Sequence, residues 1–283
     1  MDGKITLVAV FYNEEAKLGG YFANVKGVVD EMVVVDCGSS DRTGEICRKA
    51  GATVIESSNR YFEQNVNKAL ARVQSPWVLI LDADERLSPE LKGEIKNAIQ
   101  RPDADVFYIN RINYLFDGFS TKSSINTYLP RLFRKGRVSW EMEMPHEIPK
   151  VSGRTARLKP LFYHYAFVGV PSFIRKMEEY LCRLPSEYAK KGKDKVLIAE
   201  RNRMVALLFG THGLRRLFIY PVAISLEHML VRRLIFDGMR GVVFSIATGI
   251  YAFLEEAIHW ETESKKKSLT AIDWGREFPD GRH

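Results

Sequence analysis

The sequence predicts an α/β domain built on a parallel sheet, with a helical region after it. Three observations predict this. Short β-branched runs alternate with amphipathic stretches from Ile5 to Ile99, acids follow several of those runs directly, and from Pro171 onward the pattern becomes helical. A chain of 283 residues with 46% hydrophobic content supplies the core for one large domain, or for a medium domain with an appendage.

Each element has its own reason. ITLVAVF (Ile5 to Phe11) reads as a first strand, with a helix over about Glu14 to Val28. MVVVD precedes a helix over Asp41 to Ala50, TVI precedes one over Phe62 to Val73, and WVLIL precedes one over Pro89 to Ile99. Ser88 supplies an N-cap and Pro89 a first-turn proline for the last of these. DVFYIN is the next strand. Runs this apolar imply a sheet covered on both faces, where ligands sit beyond the carboxyl ends of the strands. Asn13, Asp36 and Asp82 all fall just after strands and are expected to share one crevice. After residue 105 the segments NRINYLFDG, NTYLPRLFRKGRVSW and PLFYHYAF read as antiparallel or mixed strands packed beside the parallel sheet. The expected domains are 1–168 and a helical 169–283.

Charge is unevenly placed. Lys and Arg number 19 against 21 acids in residues 1–149, and 23 against 14 in residues 150–283. A basic second half suits an anionic surface, either nucleic acid or membrane. Cys37, Cys47 and Cys182 form no CxxC pair, so neither a disulfide framework nor a zinc site is expected and a reducing, cytoplasmic setting fits. The first residues lack the basic leader and cleavage site of a secretion signal. LFIYPVAISL and GVVFSIATGIYAFL are interrupted by Arg232, Arg233, Asp237 and Arg240, and the longer run covers only Gly241 to Leu254. That is short of the roughly 20 residues of a spanning helix. Flanking arginines and Lys265 to Lys267 suit helices lying on a membrane surface; packing on the first domain or on a second subunit is the other reading.

LILDADERLSPE (Leu79 to Glu90) places Asp82, Asp84 and Glu85 directly after a buried strand. Capping does not need them, because Ser88 already caps. Two carboxylates one residue apart at a strand end can hold a hard divalent cation and leave positions open for phosphates. In VVVDCGSSDRTGEI, Ser40 and Asp41 are placed to cap the next helix, which leaves Asp36 without a local role. Its carboxylate can accept a uracil imide N–H or a ribose hydroxyl, and Gly38 lets the backbone turn close to a ligand.

Taken together, FYNEE (Phe11 to Glu15), VVVDCGSSDRT (Val33 to Thr43) and WVLILDADERLSPEL (Trp77 to Leu91) resemble the family 2 glycosyltransferases of GT-A fold. RLFRKG (Arg131 to Gly136), PHE (Pro145 to Glu147), LFYHYAF and FDGMRG (Phe236 to Gly241) resemble the lipopolysaccharide core glucosyltransferase-like branch in order and spacing, so the likeness runs to about residue 258. The resemblance implies a Rossmann-like nucleotide-diphospho-sugar domain with an amphipathic helical extension.

It also implies roles. Asn13, Glu14 and Asn67 would help form the donor pocket and Asp36 would contact the base. Asp82 would lie near the ribose or diphosphate and share metal binding with Asp84, the main ligand for Mg2+ or Mn2+. Arg131 could hold a phosphate or the acceptor. Inverting transfer needs a general base; SWEMEMPHE offers Glu141, Glu143 and Glu147, and the motif selects Glu147. The alternative for Glu147 is an ion pair with Arg131 or Arg134. His164 and Tyr165 read as packing residues. Two departures stand out: Val66 occupies a place where family members often have Arg or Lys, and INTYLP replaces a tryptophan-tyrosine-proline-aspartate sequence.

The implied activity is transfer of a sugar, glucose where the branch resemblance holds, from a nucleotide-diphospho-sugar (UDP-sugar favoured) to a lipid-linked or surface-glycan acceptor such as lipopolysaccharide core. The enzyme would sit peripherally on the inner face of the cell membrane, with a homo-oligomer as one arrangement and no nucleic-acid partner. A polyprenyl-phosphate glycosyltransferase and a silent membrane-binding module are the rivals. A sugar nucleotidyltransferase would show a Gly-rich basic loop after the first strand, where FYNEE is acidic.

Overall fold

β1 (Ile5–Phe11) pairs in parallel with β2 (Glu31–Asp36) on one side and with β4 (Trp77–Ile80) on the other. The computed structural model describes residues 3–59, 61–101, 103–140, 149–191 and 215–267. They fall into two compact units, Met1–Gly169 and Val170–His283.

In the first unit α1 (Glu15–Val25), α2 (Thr43–Lys49) and α3 (Phe62–Arg72) connect the early strands, and β3 (Thr53–Glu56) pairs with β2. β5 (Glu85–Leu87) and α4 (Pro89–Ala98) follow β4, and Ser88 caps α4 by accepting the Leu91 N–H at 3.2 Å. The remaining strands are β6 (Val106–Leu115), β7 (Gly118–Phe119), β8 (Thr127–Arg134), β9 (Val138–Trp140), β10 (Pro149–Val151) and β11 (Thr155–Phe167).

Among the described residues the main sheet runs β3-β2-β1-β4-β8-β6-β11-β5, with β7 attached to β6; β9 and β10 pair separately. Both faces are covered, as the apolar runs require. Leu7, Ala9, Phe11 and Leu79 pack on α1 and α4, while Val8, Val35, Val78 and Ile80 pack on α3. The later strands do not lie beside the parallel sheet as expected. β8 enters it antiparallel between β4 and β6, with Val78 opposite Phe133, and so satisfies the polar backbone edge that β4 would otherwise expose.

The second unit begins with α5 (Val170–Lys191). A continuous helix then runs from a π-helical turn Arg215–Ile219 through α6 (Tyr220–Leu226) to a second π-helical turn Glu227–Val231. A 3-10 turn, Leu234–Asp237, reverses the chain into α7 (Met239–Lys267). The reversal is tight. A Cβ on Gly241 would lie 1.8 Å from the Leu234 carbonyl oxygen, and one on Gly249 would lie 2.0 Å from Ser225 Oγ. The sequence implied no helix long enough to span a membrane, yet within α7 Met239–Thr262 has the length and composition to do so, with 28% buried. In the sequence the apolar run ends at Glu255 and Glu256, but Glu256 is buried against Arg216 and does not interrupt the outer surface.

Candidate active site

β1, β2 and β4 are parallel, so the segments leaving their carboxyl ends emerge along one edge of the sheet. After β4 the chain turns through Asp82, Ala83 and Asp84 into β5, closed by the Glu85 N–H donating to the Asp82 carbonyl at 3.0 Å. Glu85 is fully buried. Its Oε2 accepts the Asp82 N–H at 2.9 Å and its Oε1 accepts Arg131 Nη2 at 2.6 Å. The same Nη2 lies 2.8 Å from Asp82 Oδ2, and the guanidinium stacks over Phe162. Burial pushes the Glu85 carboxyl up, to about 8, against the pull of Arg131. Burial opposes the charge on Arg131, but Asp82 and Glu85 outweigh it and hold the guanidinium above its ordinary range. With both Glu85 oxygens accepting N–H donors, the pair is best satisfied as carboxylate and guanidinium. Arg131 is thus bound to the acids of this turn.

Asp84 faces a different partner. Its Oδ2 is 3.5 Å from His164 Nε2 on β11, and its carbonyl accepts the Tyr165 N–H at 2.8 Å. His164 Nδ1 meets Asn113 Oδ1 at 2.7 Å, while Asn113 Nδ2 donates to the Ile125 carbonyl. That second bond fixes which end of the amide is oxygen, so Nδ1 carries a proton and donates. In neutral His164, Nε2 therefore turns its lone pair toward a carboxylate. Two acceptors face each other, an arrangement that a proton or a metal cation resolves.

The segments after β1 and β2 are stitched together. Asn13 adopts a left-handed backbone with φ 53°, donates its N–H to Ser39 Oγ at 2.9 Å, and accepts the Ser40 N–H on Oδ1 at 2.8 Å. The Glu14 N–H donates to Thr43 Oγ1, and the Glu14 carboxylate pairs with Lys17. Asp41 caps α2 through the Thr43 N–H at 2.9 Å; Ser40 makes no such cap. Asp36 does have a local role, contrary to the sequence reading, because Oδ1 accepts the Ser39 N–H at 3.0 Å and the Ser39 hydroxyl at 2.6 Å. Its Oδ2 stands over Gly44, where a Cβ would lie 2.7 Å away. Asp36, Gly38, Ser39, Gly44 and Ser57 line a cavity of about 580 Å3.

Asn67 is tied to backbone: Nδ2 donates to the Trp140 carbonyl at 2.7 Å and Oδ1 accepts the Trp140 N–H at 3.3 Å. It thereby fixes the point where the chain enters residues 141–148. Glu141, Glu143, His146 and Glu147 lie outside the described residues. Arg134 is 3.6 Å from Asp105. Val66 is fully buried in the core, and the cation of that helix turn is Lys68, whose Nζ donates to Ser57 Oγ at 2.9 Å.

Sequence reasoning passed over Glu85, Asn113, Lys68 and Gly44 as site residues and gave His164 a packing role. Arg111 belongs with them: burial lowers its pKa, while Glu85, Asp82 and Asp84 pull it up. Among the described residues no cluster of three or more His, Cys, Asp and Glu side chains is arranged as a metal site. Asp84 and His164 provide an oxygen and an imidazole nitrogen, which fits a cation that takes its remaining ligands from a substrate.

Glycosyl transferase family 2 matches residues 6–158. An uncharacterized glycosyltransferase of Rickettsia typhi is 25% identical over 95% of this chain and 91% of its own. A lipopolysaccharide core biosynthesis glycosyltransferase of Rhizobium meliloti, LpsC, is 25% identical over 90% and 91%. A dolichyl-phosphate hexose transferase of Haloferax volcanii is 32% identical over 48% of this chain and 56% of its own. Among solved structures, S. aureus TarS in complex with UDP-GlcNAc is similar over 91% of this chain and 92% of that one, with a TM-score of 0.50 at 16% identity.

Proposed function

The chain belongs to glycosyl transferase family 2 and has the GT-A fold, and from that premise we propose that it is an inverting, metal-dependent transferase acting on a lipid-linked or surface-glycan acceptor such as lipopolysaccharide core. The observation that carries this reading is the turn after β4. Asp82 is locked by Arg131 and Glu85, while Asp84 is left facing the lone-pair side of His164 at the ligand edge of the sheet.

The donor is a nucleotide-diphospho-sugar, with a UDP-sugar favoured. Its base sits in the cavity beside Asp36, where Oδ1 is engaged by Ser39 and Oδ2 remains directed at the space above Gly44 for an imide N–H. Asn13 shapes this pocket by holding Ser39 and Ser40, and Glu14 acts through its backbone contact with Thr43. Lys68 and Arg111 supply positive charge for phosphates. Asp84, with His164 and the Asp82 turn, would hold Mg2+ or Mn2+; when bound, such a cation offsets the charge that builds on the departing nucleoside diphosphate. Glu147 is the base that takes the proton from the acceptor hydroxyl.

The basic second half and the relatives' names support a lipid-linked acceptor, met at the cytoplasmic face of the membrane. A second reading, transfer straight to a polyprenyl phosphate, is favoured by the match to the dolichyl-phosphate hexose transferase. Calorimetric titration with nucleoside diphosphates and nucleotide-sugars, with Mn2+ or Mg2+ and again with chelator, tests the proposal. Metal-dependent binding of one nucleotide is expected. Binding of none under any condition overturns it in favour of a silent membrane module.

A further inference from the structure

The helical hairpin from Arg215 to Thr262 buries polar groups and exposes a long apolar surface. In a water-soluble helical pair the apolar stripe faces inward and polar side chains face solvent. Here Tyr220, Ile224, Leu234 and Ala252 are buried, but Arg216, His228, Ser245, Glu256 and His259 are buried with them, together with the small residues Gly241 and Gly249. Arg216 Nε lies 2.5 Å from Glu256 Oε1, His228 Nδ1 meets the Ile224 carbonyl at 3.0 Å, and the Ser245 hydroxyl donates to the Gly241 carbonyl at 2.7 Å.

The outward positions are the reverse. On the first helix they are Phe218, Ile219, Val222, Leu226, Leu230 and Val231, and between Arg216 and Val231 every exposed residue is apolar. On α7 Ile246, Ile250, Phe253 and Trp260 recur every three, four or seven residues on one face. Phe218 and Phe253 touch, with ring centroids 6.5 Å apart, so the two stripes join into one surface. The turn between the helices adds Ile235, Phe236 and Met239, the last 76% exposed. Single exposed apolar residues need no explanation, but a continuous surface of this extent does.

We propose that this hairpin is embedded in the acyl layer of a bilayer, its polar groups satisfied against one another inside the pair and its apolar surface facing lipid. The inference deepens the membrane part of the proposed function and rests on it. The chemistry favours lipid over a protein partner on two counts. Arg216 is paired with Glu256, Arg232 with Glu227, and His228 and Ser245 with helix carbonyls, as a medium without water demands. Exposed arginines stand at the two ends of the apolar face, Arg215 at one and Arg233 at the turn, where anionic headgroups would meet them. Attachment of this kind is set by buried apolar area and so survives salt, unlike the peripheral attachment that the net charge alone suggests.

The test is flotation of the purified full chain with phosphatidylcholine vesicles containing one quarter phosphatidylglycerol, at low salt and in 1 M NaCl. The expected result is co-flotation at both, with extraction only by detergent. Leu226→Glu/Ile250→Glu, which changes two outward positions, is expected to lose flotation at least tenfold while circular dichroism still reports helix. Flotation at low salt alone overturns the inference in favour of electrostatic attachment. A lipid-free dimer by light scattering that buries the face and does not float overturns it in favour of a second copy. Nucleotide binding measured on the same samples separates the two readings: its absence counts against the transferase, whereas loss of flotation with binding intact counts against the hairpin alone.

Discussion

Arg131 and Glu85 lie 46 positions apart in the chain and are joined by a buried 2.6 Å contact from Nη2 to Oε1, while the same nitrogen reaches Asp82. The turn after β4 is therefore braced from behind by a strand that belongs to a later part of the sheet. Removing the cation leaves a buried carboxylate without a partner, which costs about 3–5 kcal/mol. Arg131→Met is expected to lower the unfolding free energy from denaturant titration by that amount. Adding Glu85→Gln to it is expected to recover part of the loss, because the uncompensated charge is gone. No recovery in the double variant would show that an uncompensated Glu85 charge is not the source of the loss.

Asn113 sets the tautomer of the histidine that faces Asp84. Asn113→Ala is expected to weaken Mn2+ binding about 10–100-fold, the usual cost of losing such an outer partner. Electron paramagnetic resonance titration of free Mn2+ reads this directly. Asp84→Ala is expected to remove the chelator-sensitive part of nucleotide binding altogether.

Glu147→Gln separates binding from chemistry. Donor binding by calorimetry is expected to match the unaltered protein, while transfer falls by about 10²-fold or more, as for loss of a general base. Transfer at the normal rate would assign the base elsewhere in SWEMEMPHE.

Gly44 leaves room for Asp36. A methyl there would lie 2.7 Å from Asp36 Oδ2 and 3.2 Å from Arg48 Nη1. In the first turn of α2 alanine improves helix propensity by about 1 kcal/mol, but crowding the Asp36 carboxylate that Ser39 holds costs about 1–3 kcal/mol, so Gly44→Ala is expected to lower the melting temperature by a few degrees at most. Nucleotide affinity is expected to fall about tenfold, equivalent to about 1.4 kcal/mol. Unchanged affinity in a titration would remove Asp36 from the donor site.

Gly249 permits the close crossing of α6 and α7. Its missing Cβ would sit 2.0 Å from Ser225 Oγ and 2.7 Å from the Pro221 carbonyl oxygen, and a backbone carbonyl cannot rotate away. Gly249→Ala is expected to destabilise the hairpin by about 1–3 kcal/mol through overpacking. Thermal unfolding followed by circular dichroism in detergent micelles checks this, with Ile250→Ala, on the outward face, as the comparison.

Much of the first unit was readable because local rules and the global fold agree there. Ser88 and Pro89 start a helix where they were expected to, and the apolar runs become buried strands. What escaped reading was pairing across distance. Glu85 looks like one more turn acid until Arg131 arrives on β8, and His164 looks like a packing residue until Asn113 and Asp84 flank it. Asp36 was misjudged for a different reason. Asp followed three positions later by Ser is a local turn signal, and it was present in DCGSS. The hairpin hid itself in the same way as the acids, since Arg216 and Glu256 interrupt the apolar pattern in sequence but cancel each other in space.

The clasp that α1 places on the acidic turn has a kinetic consequence. Tyr21 donates its hydroxyl to the Leu81 carbonyl at 2.8 Å, and Asn24 exchanges two hydrogen bonds with the backbone of Leu87, so one helix grips the chain on either side of Asp82 and Asp84. Tyr21 is completely buried. A segment fastened this way cannot open by itself, because releasing it means pulling α1 off the core. Deuterium uptake at the backbone amides of residues 82 to 87 should therefore be as slow as in the middle of β1. Warming should abolish nucleotide binding only when the whole first unit melts, with no lower temperature at which the site alone is lost.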